Sequence, residues 1–135
     1  MRVRPTVITL IKRMTTKTIL LVEDDFDLRD IIQDILEDEG YDVVPAHDGR
    51  QALEYLRSAA DPRPDAVVLD LMLPHVSGWE VLDATRSEAD LGTIPVIVIS
   101  AAERQRPVGV AEFFKKPFNL ERLLQSIRER TSSAD

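Results

Sequence analysis

From Thr18 onward, short aliphatic runs alternate with segments whose apolar residues recur at helical spacing. Ile19-Leu20-Leu21-Val22 is unbroken aliphatic sequence that stops at Glu23-Asp24-Asp25. Leu28, Ile31, Ile32, Ile35 and Leu36 then fall at i, i+3, i+4, i+7 and i+8 with acids on the other face, as in an amphipathic helix. Gly40 stands where a helix C-terminal cap belongs. Tyr41 to Val44 reads as a weaker strand, and Asp48 as the N-cap of a helix bearing Ala52, Leu53 and Leu56. Pro62 and Pro64 break the chain before a third strand, Ala66 to Leu69, which ends at Asp70. Ser77 and Glu80 form a capping-box pattern ahead of Val81 and Leu82. Pro95 to Ile99 predicts a fourth strand ending at Ser100, and Glu112 to Lys115 a short fifth. Asn119 caps a last helix carrying Leu120, Leu123, Leu124 and Ile127.

Strands that read as continuous aliphatic runs, separated by helices, predict a parallel sheet covered on both faces. Five β–α units in this length fit a flavodoxin-like, doubly wound α/β fold with five parallel strands in the order 2-1-3-4-5. Only fifteen residues separate Ser100 from Lys116, and they include Pro107 and Gly109. Both are poor helix-interior residues, so the helix between strands 4 and 5 is expected to be shortened, distorted or replaced by a loop.

Composition narrows the function. The chain has 135 residues, 44% hydrophobic and 30% charged, which suits one folded domain. Its net charge of −7 is uneven, because Arg2, Arg4, Lys12, Arg13 and Lys17 put five cations and no acid into residues 1–17. The other 118 residues carry 12 basic against 24 acidic side chains, a net of −12. Such an acidic body argues against direct binding to nucleic acid. The absence of cysteine excludes disulfides, Cys-based zinc sites and thiol catalysis. No apolar run is long enough to span a bilayer. Residues 1–17 lack the features of a signal peptide and read as a flexible basic extension, with Met14 as an alternative start. Residues 18–130 form the expected domain and 131–135 a polar tail.

In a doubly wound sheet, ligands bind at the carboxyl edge, beside the switch point between strands 1 and 3. Strand 1 ends there in Glu23 and Asp24, strand 3 in Asp70, strand 4 in Ser100 and strand 5 in Lys116. Three carboxylates in one pocket repel strongly, and a hard divalent cation such as Mg²⁺ relieves that repulsion. A cation, a lysine and a hydroxyl around a carboxylate suit phosphoryl chemistry, with Asp70 as the candidate nucleophile. Taken singly these residues are weak signals, since acidic runs are usually solvated loops and a lone Asp after a strand is usually a cap. Their joint placement on one edge carries the argument. His47 and His75 fall outside this strand-end set and read as surface loop residues. Trp79 reads as partly packed, and Asp25 is expected to point away from a metal that Asp24 faces.

The sequence resembles the receiver domain of two-component response regulators. The resemblance lies in Ile19 to Asp25 with Leu28-Arg29, Asp65 to Pro74 with Gly78, Pro95 to Ala101, and Phe114-Lys115-Lys116-Pro117-Phe118, and it spans residues 18–130. It implies a single-domain phosphoacceptor in which Asp70 accepts a phosphoryl group from the phosphohistidine of a sensor kinase or phosphotransfer protein. By the same resemblance, Glu23, Asp24, Asp70 and the Met72 backbone carbonyl hold Mg²⁺, Ser100 and Lys116 contact the phosphoryl group, and the Lys116–Pro117 bond is cis. Phe113 occupies the position of an aromatic switch residue that moves with Ser100. Such a protein is expected in the cytoplasm, as a monomer or weak dimer, acting on a downstream protein and not on nucleic acid or membrane. It is expected to be no enzyme beyond self-phosphorylation and slow self-dephosphorylation, because Met72 and Ala102 offer no polar group to orient water. The short segment before Lys116 departs from the family pattern and puts the usual output face in doubt.

Three rival readings fit less well. An aspartate-nucleophile phosphatase of the haloacid dehalogenase type needs an acid two residues past the nucleophile, where this chain has Met72. A nucleotide-binding module needs a glycine-rich phosphate loop after strand 1, where this chain has three acids. A scaffold that signals without phosphorylation does not need the complete set of acids, hydroxyl and lysine.

Overall fold

The computed structural model describes residues 16–58, 63–101 and 107–132. Five strands, β1 (Thr18–Val22), β2 (Asp42–Ala46), β3 (Ala66–Asp70), β4 (Val96–Ser100) and β5 (Glu112–Lys115), form one parallel sheet in the order β2-β1-β3-β4-β5. Among the described residues four helices accompany them: α1 (Phe26–Asp38), α2 (Gly49–Arg57), α3 (Gly78–Ser87) and, after β5, α4 (Leu120–Thr131). This is the doubly wound order the alternating pattern predicts.

The aliphatic runs are unbroken because both faces of each central strand are covered. Ile19 and Leu21 of β1 join Val68, Ile97 and Ile99 beneath Ile32 and Leu36 of α1 and Leu123, Leu124 and Ile127 of α4. Leu20 and Val22 point the other way, packing with Val67, Leu69, Val96 and Val98 against α2 and α3. All of these residues are buried. Among the described residues, no helix is long and apolar enough to cross a membrane.

Local chemistry sets the helix ends. Asp25, Asp48, Ser77 and Asn119 each accept a hydrogen bond from the backbone amide three residues on, as N-caps do. Three of these caps are foreseen above; Asp25 is the addition. Gly40 ends α1 with φ of 96°, while its amide donates to Glu37 and that of Tyr41 to Leu36, the paired bonds of a Schellman motif. The helix α4 runs one residue beyond the expected 130 boundary. Thr131 is buried, donates to the Ile127 carbonyl at 2.7 Å and lies 3.2 Å from the Tyr41 hydroxyl, which ties it to the domain.

Eleven residues, 101–111, connect β4 to β5, and Pro107–Ala111 carry no helix. Gly109 turns the chain with φ of 83° beside the Arg86 guanidinium of α3. A regular four-turn helix does not fit in what remains, as the composition of this stretch predicts. The rest of that expectation, at 102–106, and the basic extension up to residue 15 lie outside the described residues.

The Ser126 hydroxyl is buried in α4 and has no hydrogen-bond partner among the described residues. An orphaned buried hydroxyl costs its desolvation without return, so Ser126→Ala is expected to stabilise the fold by about 1 kcal/mol. Urea unfolding reads this as a higher midpoint at unchanged slope. A lower midpoint would mean that the hydroxyl holds a contact.

Candidate functional site

Register brings the acids together. Val22 of β1 pairs with Leu69 of β3, so the next residues, Glu23 and Asp70, emerge side by side from adjacent strands. One carboxylate oxygen from each of Glu23, Asp24 and Asp70 lies within 4.8 Å of the others. Glu23 is fully enclosed and Asp70 nearly so, whereas Asp24 is exposed. On the other side, Ser100 pairs with Lys115, and the Lys116 amide donates to the Ser100 carbonyl at 2.8 Å. A cis peptide bond joins Lys116 to Pro117, as the resemblance implies.

Lys116 spans the site. Its Nζ donates to Glu23 Oε1 at 2.6 Å and to Asp70 Oδ2 at 2.9 Å. The second oxygen of each acid takes a backbone amide, Asp25 to Glu23 Oε2 at 3.1 Å and Met72 to Asp70 Oδ1 at 2.9 Å. Burial pushes the Glu23 carboxyl up to about 7; the Lys116 and Asp25 hydrogen bonds oppose the shift and the Asp70 charge adds to it. Burial alone would lower the Lys116 ammonium, but its bonds to both acids overcome this and hold it above its ordinary value. The Asp24 carboxylate has no hydrogen bond among the described residues.

This donor set suits a hard cation. Two buried carboxylates share a single ammonium, and a third, unengaged carboxylate adds further negative charge from the solvent side. An all-oxygen cluster that keeps an open side fits Mg²⁺, which retains waters. A cation there would share with Lys116 the neutralisation of these acids and of any phosphoryl oxygen brought to Asp70.

The other residues singled out in the sequence divide cleanly. Ser100 is fully buried at the end of β4, on the same edge. Phe113, paired with Val98, is half-buried and packs against the core cluster beneath α2 and α3. Met72 has an exposed side chain, and its amide is the group that touches Asp70. Asp25 turns away from the acids to cap α1, accepting from the Leu28 amide at 3.1 Å. Trp79, at the start of α3, is exposed, at 36%. Ala102 lies outside the described residues.

The histidines need one correction. His47 directly follows β2 and therefore does sit at the carboxyl edge, because β2 runs two residues past the Val44 at which the sequence reading stops. It is nonetheless an exposed loop residue, engaged with Gln51 and 3.5 Å from Asp48. His75 is exposed too, with φ of 64° in the β3–α3 loop.

Two contacts were not legible beforehand. A Cβ at Gly78 would lie 2.2 Å from the Asp70 carbonyl oxygen and 2.4 Å from Leu71 Cα, so only glycine lets α3 start this close to the nucleophile candidate. Arg29 of α1 donates from Nη1 to the Glu23 carbonyl at 2.8 Å and lies 5.4 Å from the centre of the Phe26 ring. The sequence signal for the second was the place of Leu28-Arg29 in the resemblance, which carries no indication of the contact with Glu23.

Comparison with known proteins identifies the family. The family model described as response regulator receiver domain matches residues 19–128. The response regulator MprA of Mycolicibacterium vanbaalenii is 40% identical over 116 residues, covering 82% of this chain and 48% of its own length. The chain thus spans about half the length of the curated relatives it matches. The chemotaxis response regulator CheY4 of Vibrio cholerae superposes with a TM-score of 0.73 at 29% identity, over 85% of this chain and 98% of that one. The response regulator TrrA of Thermotoga maritima, solved in complex with Mg²⁺-BeF, gives 0.74 at 28% identity, over 85% and 99%. With the fold, the strand-end acids and these relatives in agreement, the chain belongs to the receiver domains of response regulators, the phosphoacceptor modules of two-component signalling.

Proposed function

We propose that Asp70 is the phosphoacceptor and that it draws its phosphoryl group from a phosphohistidine on a sensor kinase or phosphotransfer protein. The observation that carries this reading is the setting of its carboxylate: nearly enclosed, fixed by the Met72 amide and the Lys116 ammonium, and flanked by two further acids. A carboxylate oxygen of Asp70 forms the new bond to phosphorus while the bond from phosphorus to the donor imidazole nitrogen breaks, leaving an aspartyl phosphate and a free histidine. Glu23, Asp24, Asp70 and the Met72 carbonyl would hold Mg²⁺, which would supply positive charge to the phosphoryl oxygens. Lys116 exchanges part of its contact with Asp70 for a phosphoryl oxygen, and Ser100 donates its hydroxyl to another. Phe113 follows Ser100, so that phosphorylation shifts the population of conformers presented to a downstream protein.

The chain is a switch and not a turnover enzyme; its only chemistry is self-phosphorylation and slow self-hydrolysis. It acts in the cytoplasm as a monomer or weak dimer, with residues 1–17 as a basic extension and 132–135 as a tail to the receiver unit. The test is incubation with a small phosphodonor and Mg²⁺, read by intact mass. A single phosphoryl adduct is expected, absent from Asp70→Ala and absent when the metal is chelated. No adduct from any donor or kinase would instead favour a scaffold that signals without phosphorylation.

A further inference from the structure

We infer that Arg29 is a positioning residue for the metal site: its guanidinium, set against Phe26, fixes the peptide between Glu23 and Asp24 and so aims the Asp24 carboxylate. This rests on the reading of Glu23, Asp24 and Asp70 as metal ligands. Asp24 needs such help because its own carboxylate is exposed and unengaged among the described residues. Its direction is therefore set by the backbone on either side.

The backbone on either side of Asp24 is tied at both flanking residues. The Glu23 amide donates to the Ala46 carbonyl at 3.0 Å, and the Asp25 amide to Glu23 Oε2 at 3.1 Å. Asp25 caps α1 through its side chain, and its carbonyl takes the Arg29 amide at 2.9 Å. The Glu23 carbonyl belongs to the very peptide that sets the torsions entering Asp24. Arg29 Nη1 holds it at 2.8 Å. The Phe26 ring, 63% exposed at the first position of α1, lies 5.4 Å from the guanidinium and limits its swing.

The sign of the effect separates positioning from charge. Arg29 is a cation beside a cation site, so on Coulombic grounds alone its removal should tighten Mg²⁺ binding. Loss of a group that orients a ligand weakens metal affinity, typically by tenfold or more.

The experiment is calorimetric titration of Mg²⁺ into the full chain, with melting of the metal-free protein alongside. Arg29→Ala is expected to weaken binding about tenfold. Arg29→Lys, which keeps the charge and one donor but not the planar group set against Phe26, is expected to recover part of that loss. Arg29→Met keeps the aliphatic stem and carries the same expectation as alanine should alanine fail to fold. Unchanged or tighter binding in the alanine or methionine variant overturns the proposal, as does a lysine variant with no recovery. Asp24→Asn separates the two levels of the argument. If it binds Mg²⁺ as the native chain does, the metal-site reading itself fails. If it loses Mg²⁺ while Arg29→Ala does not, only the positioning role fails.

Discussion

Replacing Lys116 with methionine is expected to cost the metal-free protein about 3 kcal/mol of stability at pH 8. The reason is what the ammonium leaves behind. Glu23 is wholly enclosed and Asp70 nearly so, and each gives one oxygen to Lys116 Nζ, at 2.6 and 2.9 Å. Methionine fills much the same volume but neutralises neither acid, so two buried carboxylates face each other without a counter-charge. Two conditions should restore much of the loss. Acidification to about pH 5 protonates Glu23, whose carboxyl already lies near 7 in the native setting. Millimolar Mg²⁺ supplies a cation in place of the ammonium. Denaturant unfolding at both pH values, with and without Mg²⁺, checks this. A loss independent of pH and of metal would indicate a packing defect and sink the explanation.

The second large effect is the pH dependence of metal loading. Burial raises Glu23 to about 7 from its ordinary 4.5, so below neutrality the folded chain holds a proton there that a metal must displace. With one such proton, Mg²⁺ affinity at pH 5.5 is expected to be roughly thirtyfold weaker than at pH 8. Glu23→Gln should flatten that profile, at a lower affinity throughout. The same shift acts on metal-free stability with the opposite sense. The folded state binds more protons than the unfolded state between about 4.5 and 7, so stability falls as pH rises through that window. Titrations in buffers of different ionisation enthalpy read the released proton directly. A pH-independent affinity with no proton release would sink the assignment of Glu23 as a ligand.

Most of the fold and the frame of the site were legible because both depend on short-range patterns. Unbroken runs such as Val96 to Ile99 signal strands buried on both faces, and a polar residue at the end of such a run marks the carboxyl edge. Asp48, Ser77 and Asn119 announce helix starts through side-chain chemistry that acts over three residues. What escaped depends on distant pairs. Nothing local to Gly78 says that its missing side chain makes room for the Asp70 carbonyl, and nothing local to Arg29 says that it reaches back to Glu23. The extent of β2 was missed because Pro45 argues against a strand; it is tolerated there since β2 is the outermost strand of the sheet. Thr131 looks like tail sequence until Tyr41, ninety residues away, is seen beside it.

The ladder that sets Val22 against Leu69 has a consequence for how such a chain can diverge. Because side chains alternate between faces, a one-residue insertion within β1 or β3 would turn the aliphatic runs inside out and, in the same stroke, move Glu23 out of step with Asp70. Core and site share one frame, so that part of the gene can drift by substitution only. The connection between β4 and β5 lies outside every ladder, and residues can be lost there without shifting Ser100 or Lys116 in register. Length variation is thereby steered to the connection between β4 and β5, leaving the chemistry fixed while that connection is free to diversify.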